Sequence, residues 1–279
     1  MPQPIIELRH VFKNYSAGAK RKLFSRALAV EPVHALNDIN LQINSGEIFV
    51  IVGLSGSGKS TLLRTLNFLI QPTAGEVLFQ GQTLNSLRGS EMIALRRKQI
   101  AMVFQSFALF AERTVVDNVA FGLEVAGISR ELRHRRAKTM LEQVGLGQVC
   151  DQYPHQLSGG MQQRVGLARA LLIDPAVLLM DEAFSALDPI IRREMQSLLL
   201  SLQQAQQRTV VFVTHDMEEA LRLGTRIAIM QEGKLVQVGT PENIINAPAS
   251  PYVRHFFSGV DTSRWQLAES YADVWQSPE

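Results

Sequence analysis

Residues 48–61 read IFVIVGLSGSGKST, and this stretch decides the fold. Ile48 to Val52 is an unbroken apolar run rich in β-branched residues, the pattern of a strand buried on both faces. It enters a glycine-rich turn, and beyond Thr61 the residues Leu62, Leu63, Leu66 and Leu69 recur at helical spacing as far as Ile70. Strand, loop and helix form one unit. The string GLSGSGKS at 53–60 has the G-x-x-x-x-G-K-[ST] spacing of a phosphate-binding loop. Glycine lets backbone amides approach phosphate oxygens, and the helix N-terminus adds a partial positive charge. Lys59 is placed to reach the β and γ phosphates, and Ser60 can ligate Mg²⁺. The candidate contacts are Gly53, Ser55, Gly56, Ser57, Gly58, Lys59, Ser60 and Thr61.

Working outward, residues 5–9 and 36–43 alternate apolar and polar as half-buried antiparallel strands do, and 75–82 reads as a strand ending in a turn at Gln80 and Gly81. Ile100 to Phe104 is a further short strand. Thr114 with Asp117 forms a capping-box start, Val115, Val116, Val119, Ala120 and Leu123 form an apolar stripe, and Gly127 ends that helix. A second helix runs from about Ser129 to Val144 and stops at Gly145. Residues of about 88–160 read as a mostly helical subdomain inserted into an α/β core. The alternation then resumes: helix 161–173, strand 176–180, a helix from Asp188 and Pro189 to about Gln206, strand 210–214, a short helix between Asp216 and Gly224, and strand 227–230. Glu232 and Gly233 turn a final hairpin, and Thr240 with Pro241 starts a last helix. Strands alternating with helices predict a parallel sheet covered on both faces.

The chain has 279 residues, 46% of them hydrophobic and 19% charged, the profile of a globular protein rather than a fibrous or disordered one. Its formal net charge of +2 is too small to argue for a nucleic-acid partner. The lone Cys150 cannot form an internal disulfide, and no Cys/His cluster has the spacing of structural zinc, so a reducing compartment is expected. No apolar run approaches the ~20 residues needed to span a bilayer. Gly18 to Val33 is a long connector whose basic cluster, Lys20, Arg21, Lys22 and Arg26, reads as a solvated loop.

Two further features carry chemistry. The strand at 176–180 delivers Asp181 and Glu182 to its carboxyl end, where open α/β sheets bind ligands. Asp181 is placed to hold Mg²⁺, and Glu182 to polarise a water for in-line attack on the γ phosphorus. Ser158, Gly159 and Gly160 precede an amphipathic helix and make a second exposed helix N-terminus suited to an anion.

GLSGSGKS, LSGGM at 157–161, VLLMDE at 177–182, SALD at 185–188 and the histidine of VTHD at 213–216 resemble, in this order and spacing, the motif set of ABC-type ATPases. The resemblance covers roughly residues 5–260 and leaves a tail at 261–279. It implies a P-loop NTPase fold with a RecA-like parallel-sheet core, an antiparallel β-subdomain and an inserted helical subdomain, with ATP and Mg²⁺ as cofactors. Gln105 in VFQ matches the family's Q-loop, implying a role in sensing Mg²⁺ or water and a link to the transport subunit. Tyr15 matches the aromatic that stacks on adenine. The family arrangement further implies that two chains pack head to tail, each ATP lying between one chain's loop and the other's Ser158 segment. His215 is then implied to contact the γ phosphate, and Asp188 to bridge the two sites.

One loop motif, no fused hydrophobic span and no long coiled-coil insertion favour the ATP-binding subunit of a multi-subunit importer. It is expected at the cytoplasmic face of the plasma membrane, with transmembrane permease subunits and, indirectly, a solute-binding protein as partners. GEIFVIVGLSGSGKSTLLRTLN, RRKQIAMVFQSFALF, TVVDNVAFGLEVAGI and YVRHFFSGVD look like the glycine betaine, proline betaine and choline uptake group, here in a short form without CBS domains. Ala111, Glu112 and Arg113 depart from that group, standing where relatives often carry a proline and histidine. An importer for amino acids or another polar solute shares every catalytic motif and is the alternative. A soluble ABC ATPase acting on ribosomes or DNA lacks support, because such relatives usually pair two cassettes or insert long coiled coils.

Overall fold

The computed structural model describes residues 4–15 and 33–263. The basic cluster at 20–26 and the tail beyond 263 lie outside the described residues. The unbroken apolar run becomes β3 (Ile48–Gly53), in which every residue is buried. Two strands, β1 (Pro4–Tyr15) and β2 (Val33–Asn44), precede it and pair antiparallel, as their alternation predicted. After β3 come α1 (Lys59–Leu66), β4 (Ala74–Phe79), β5 (Gln82–Thr83), α2 (Gly89–Lys98) and β6 (Ile100–Val103). Helices α3 (Val115–Val125), α4 (Arg130–Gln143) and α5 (Gly159–Leu172) follow. The rest alternates: β7 (Val177–Asp181), α6 (Pro189–Gln206), β8 (Thr209–Thr214), α7 (Met217–Leu223), β9 (Arg226–Gln231), β10 (Lys234–Gly239), α8 (Pro241–Asn246) and α9 (Pro251–Phe256).

The strands form two sheets. One is antiparallel, in the order β2-β1-β4-β5; the other has the order β10-β9-β3-β8-β7-β6. In the second, β9, β3, β8, β7 and β6 run parallel, and β10 joins antiparallel through the hairpin at Glu232 and Gly233. Both turn residues have positive φ, 49° and 76°, the conformation a two-residue hairpin turn demands. β3 lies between β8 and β9, so the strand that feeds the glycine-rich loop sits inside the sheet. One apolar layer, with Leu62, Leu63 and Leu66 of α1, fills the space between the two sheets; another, with Phe184, Phe212 and Met195, packs the opposite face. The parallel sheet is thus covered on both sides, as unbroken apolar strands require.

A third apolar cluster, running from Val115 to Ala168, belongs to α3, α4 and part of α5. The helical unit expected over about 88–160 divides here. β6 is an edge strand of the parallel sheet, and Met92 of α2 packs in the layer between the sheets, so both belong to the core. The apolar stripe on α3 is what builds a separate hydrophobic centre. The cap predicted for α3 is present: Thr114 Oγ1 accepts from the Asp117 amide and donates to the Asp117 carboxylate. α9, begun by a Ser250 cap, lies beyond the helix started by Thr240 and Pro241, which the sequence pattern marks as the last.

Candidate nucleotide site

The glycine-rich loop closes around backbone. Gly58 has φ +101° and begins α1 with no side-chain cap, so the amides of the first helical turn are left to the adjoining cleft. A Cβ at Gly58 would collide with the Ala35 carbonyl, and one at Gly53 with the Met230 carbonyl and Ser57 Oγ. Both positions need glycine because another chain segment already occupies that space. Gly56, with φ +81°, has open space around it and needs glycine for its conformation alone. The cleft of about 450 Å³ beside the loop is lined by Ser55, Gly56, Gly58, Lys59, Ser60 and Thr61, with Tyr15 and Glu182 on its walls.

Lys59 is only 5% exposed, and its Nζ donates to the Gly53 and Leu54 carbonyls at 2.8 and 3.0 Å. Burial pushes its ammonium below the usual lysine value, while the Glu182 and Asp181 carboxylates pull the other way. Ser57 Oγ is buried without a partner, a polar group aimed into a loop built from amides. Such a loop, with a helix N-terminus and an ammonium, fits a polyphosphate.

The carboxyl end of β7 supplies the second half. Ser60 Oγ donates to Asp181 Oδ1 at 2.9 Å, so the hydroxyl and the carboxylate that the sequence assigned to one metal do meet. Arg64 of α1 lies 3.4 Å from the other Asp181 oxygen, a contact the sequence reading missed. One hydroxyl and one carboxylate fit Mg²⁺, which keeps most of its shell for water and phosphate oxygens. Among the described residues no group of three His, Cys, Asp or Glu could hold a metal ion.

Glu182 adopts φ +47°, a left-handed conformation that costs a non-glycine residue about 1 kcal/mol. Its amide donates to the Val213 carbonyl at 3.0 Å, and its own carbonyl accepts from Ser185 Oγ at 2.9 Å. This turn sets Glu182 Oε2 3.1 Å from His215 Nδ1. The two residues, read separately in the sequence, form one pair. Gln105 Nε2 donates to Ser185 Oγ at 3.2 Å. Arg192 binds the Ser185 and Leu187 carbonyls and pairs with Asp216 at 3.2 Å, tying the segment after Glu182 to the one after His215. Arg192 is a further site-shaping residue that sequence reasoning did not single out, and Ser185, the first residue of SALD, makes bonds that the motif did not announce. Its bond to Gln105 spans 80 positions, which no local pattern marks.

Ser158, Gly159 and Gly160 do not line this cleft. Ser158 caps α5 by accepting from the Met161 amide at 3.3 Å, and it is exposed with Gly159. Asp188 caps α6 through the Ile190 and Ile191 amides, both at 3.1 Å.

Residues 36–185 match the family model described as ABC transporter. The chain belongs to the ABC transporter family. It is 53% identical over 276 residues to the glycine betaine/proline betaine transport system ATP-binding protein ProV of Escherichia coli (strain K12), covering 96% of this chain and 69% of that one. It is 54% identical over 235 residues to the glycine betaine/carnitine transport ATP-binding protein GbuA of Listeria monocytogenes, covering 84% of this chain and 59% of that one. Among solved structures it resembles the dimeric ATP-binding cassette MJ0796 in a post-hydrolysis state bound to ADP and Pi. That match has a TM-score of 0.74 and 36% identity, and covers 84% of this chain and 98% of that one. The motifs described above are therefore those of an ABC ATPase domain, and such domains bind ATP. Among the described residues no helix is long and apolar enough to cross a membrane.

Proposed function

We propose that this chain is the ATP-hydrolysing subunit of a multi-subunit ABC importer for quaternary ammonium solutes such as glycine betaine, choline, carnitine or proline betaine. The observation that carries the ATPase reading is the meeting of Lys59, the Ser60–Asp181 pair and the Glu182–His215 pair at one end of the parallel sheet. The solute class rests on 53–54% identity to two betaine-system subunits.

In this reading the loop amides and Lys59 bind the β and γ phosphates, with Lys59 exchanging its two carbonyl partners for phosphate oxygens. Ser60 and Asp181 hold Mg²⁺, which when bound neutralises the charge developing on the phosphate oxygens. Glu182 orients the attacking water and takes its proton. His215, bonded to Glu182 through Nδ1, fixes that carboxylate and reaches the γ phosphate. Gln105 follows the state of the site through Ser185 and passes it to the permease. Tyr15 stacks on the base. Ser158, Gly159, Gly160 and Asp188 act on the neighbouring chain's nucleotide, because they lie outside this chain's own cleft. Two copies thus close on two ATP, and the pair sits on transmembrane permease subunits at the cytoplasmic face of the membrane, served indirectly by a solute-binding protein.

Competition for labelled betaine or choline uptake in cells carrying the whole transporter tests the solute class. Uptake blocked by unlabelled quaternary ammonium compounds is the expected result. Strong uptake of an amino acid with no response to those compounds assigns the chain to a different importer class.

A further inference from the structure

Lys13 makes two contacts that none of the motifs explains. It lies two residues before Tyr15 on β1, and its Nζ stands 5.2 Å from the centroid of the Tyr15 ring, within cation–π range. The same ammonium donates to the Gln71 carbonyl at 2.9 Å. No carboxylate pairs with Lys13 among the described residues, so its charge is given to a ring face and a carbonyl. Gln71 lies in the turn segment that joins α1, the helix whose N-terminus ends the glycine-rich loop, to β4. That turn is stitched to β1 at two further points: the Thr73 amide donates to the Phe12 carbonyl at 2.7 Å, and the Asn14 amide to Thr73 Oγ1 at 3.0 Å. Lys13 is therefore a side-chain link between the exposed ring on the cleft wall and the segment that follows the helix presenting the phosphate-binding amides.

We infer that Lys13 is a positioning residue of the nucleotide site, holding one face of the Tyr15 ring at a fixed distance from α1 so that the other face is ready for the base. The inference rests on the reading of Tyr15 as the base platform. A free tyrosine side chain at a strand end loses rotamer freedom when a base stacks on it; a ring already held by a cation loses less, and the difference appears as affinity. Lys13 touches no phosphate ligand in this scheme, so its effect must depend on the base.

That dependence supplies the test. Affinities of the full chain for ATP and for inorganic tripolyphosphate, which has the phosphates but no base, are measured by calorimetry with Mg²⁺ for the wild type, Lys13→Met, Lys13→Arg and Tyr15→Ala. Lys13→Met is expected to weaken ATP about two- to five-fold, the range of an exposed cation–π contact, and to leave tripolyphosphate unchanged. Lys13→Arg, which keeps a cation over the ring, is expected to restore most of the loss. In a Tyr15→Ala background Lys13→Met is expected to add nothing. Equal weakening of both ligands in Lys13→Met, or no weakening of ATP while Tyr15→Ala does weaken it, overturns the role of Lys13 alone. If Tyr15→Ala binds ATP as the wild type does, the platform reading falls and the inference falls with it.

Discussion

Two helix N-termini in this molecule look alike in sequence, each a serine and glycine string opening an apolar helix, and they are built differently. α1 begins at Gly58 with no side-chain cap, its loop locked by the Ala35 and Met230 carbonyls and its Lys59 buried. α5 begins at Ser158, whose hydroxyl takes the Met161 amide, and both Ser158 and Gly159 are exposed. An uncapped, enclosed N-terminus keeps its amides for a ligand held by its own chain. A capped, exposed one has satisfied part of its own demand and presents the rest outward, as a surface that meets another molecule does. The comparison explains why this chain's cleft includes one motif and not the other.

The largest expected effect strikes the enclosed terminus. Lys59→Ala removes the one buried cation in the loop, and in the assembled transporter it should abolish ATP hydrolysis, a loss of at least about a hundred-fold. Wild-type rates from that variant would show that the loop is not the phosphate site. Next comes Glu182→Gln, which keeps the side chain's size but makes a far poorer base. Hydrolysis should fall by about 10²–10⁴-fold while ATP stays bound and holds two chains together. Adding Ser158→Arg puts a bulky charge on the exposed terminus and should return the protein to monomer by light scattering with ATP. A double variant that dimerises as tightly as Glu182→Gln alone breaks the comparison, because the α5 terminus then completes nothing.

Much of this is legible in the sequence. Unbroken apolar runs, capping residues and glycine punctuation are local signals, and they place β3, α1, α3, β7 and α6 within a few residues. The phosphate loop is readable because its chemistry needs residues at fixed spacing. What stays hidden depends on contacts across the chain. β6 and α2 group with the helical unit in the sequence because a short strand carries no mark of the sheet edge it joins. Arg64 beside Asp181, Ser185 between Gln105 and Glu182, and Glu182 bonded to His215 all arise when the sheet aligns distant strand ends. Nothing at 64 distinguishes that residue from its surface neighbours, and SALD marks 185 without saying what its hydroxyl will bond.

The glycines offer a finer version of the same contrast. Gly58→Ala forces a Cβ onto a backbone carbonyl at a φ that L residues rarely adopt, and should cost about 2–4 kcal/mol, lowering the melting temperature by roughly 5–10 °C. Gly160→Ala places its Cβ 2.5 Å from Cγ2 of Ile191, a β-branched side chain on α6 that must shift, but at a backbone conformation that alanine favours. Its melting temperature should fall by roughly 2–4 °C, less than at Gly58. Equal losses at the two sites would mean that α5 is as rigidly enclosed as α1.

The smallest effect is the most discriminating. Ser158→Ala removes the α5 cap, the bond from the Met161 amide being the one its hydroxyl makes among the described residues. Loss of such a cap costs about 1 kcal/mol, or roughly 2–4 °C in a chain of this size. Binding of ATP to the isolated chain, which uses the α1 terminus, should be unchanged in calorimetry, because Ser158 lies outside that cleft. The ATP-dependent dimer formed by Glu182→Gln should weaken, because in the proposed arrangement the hydroxyl and the amides it orients meet the second chain's phosphate. Ser158→Gly separates the two roles: glycine at a cap position costs only a few tenths of a kcal/mol, so the melting temperature recovers while the hydroxyl stays absent. If the dimer recovers along with the melting temperature, Ser158 serves its own helix and no more. If the dimer stays weak while the fold regains its stability, the hydroxyl acts on the neighbouring chain's nucleotide.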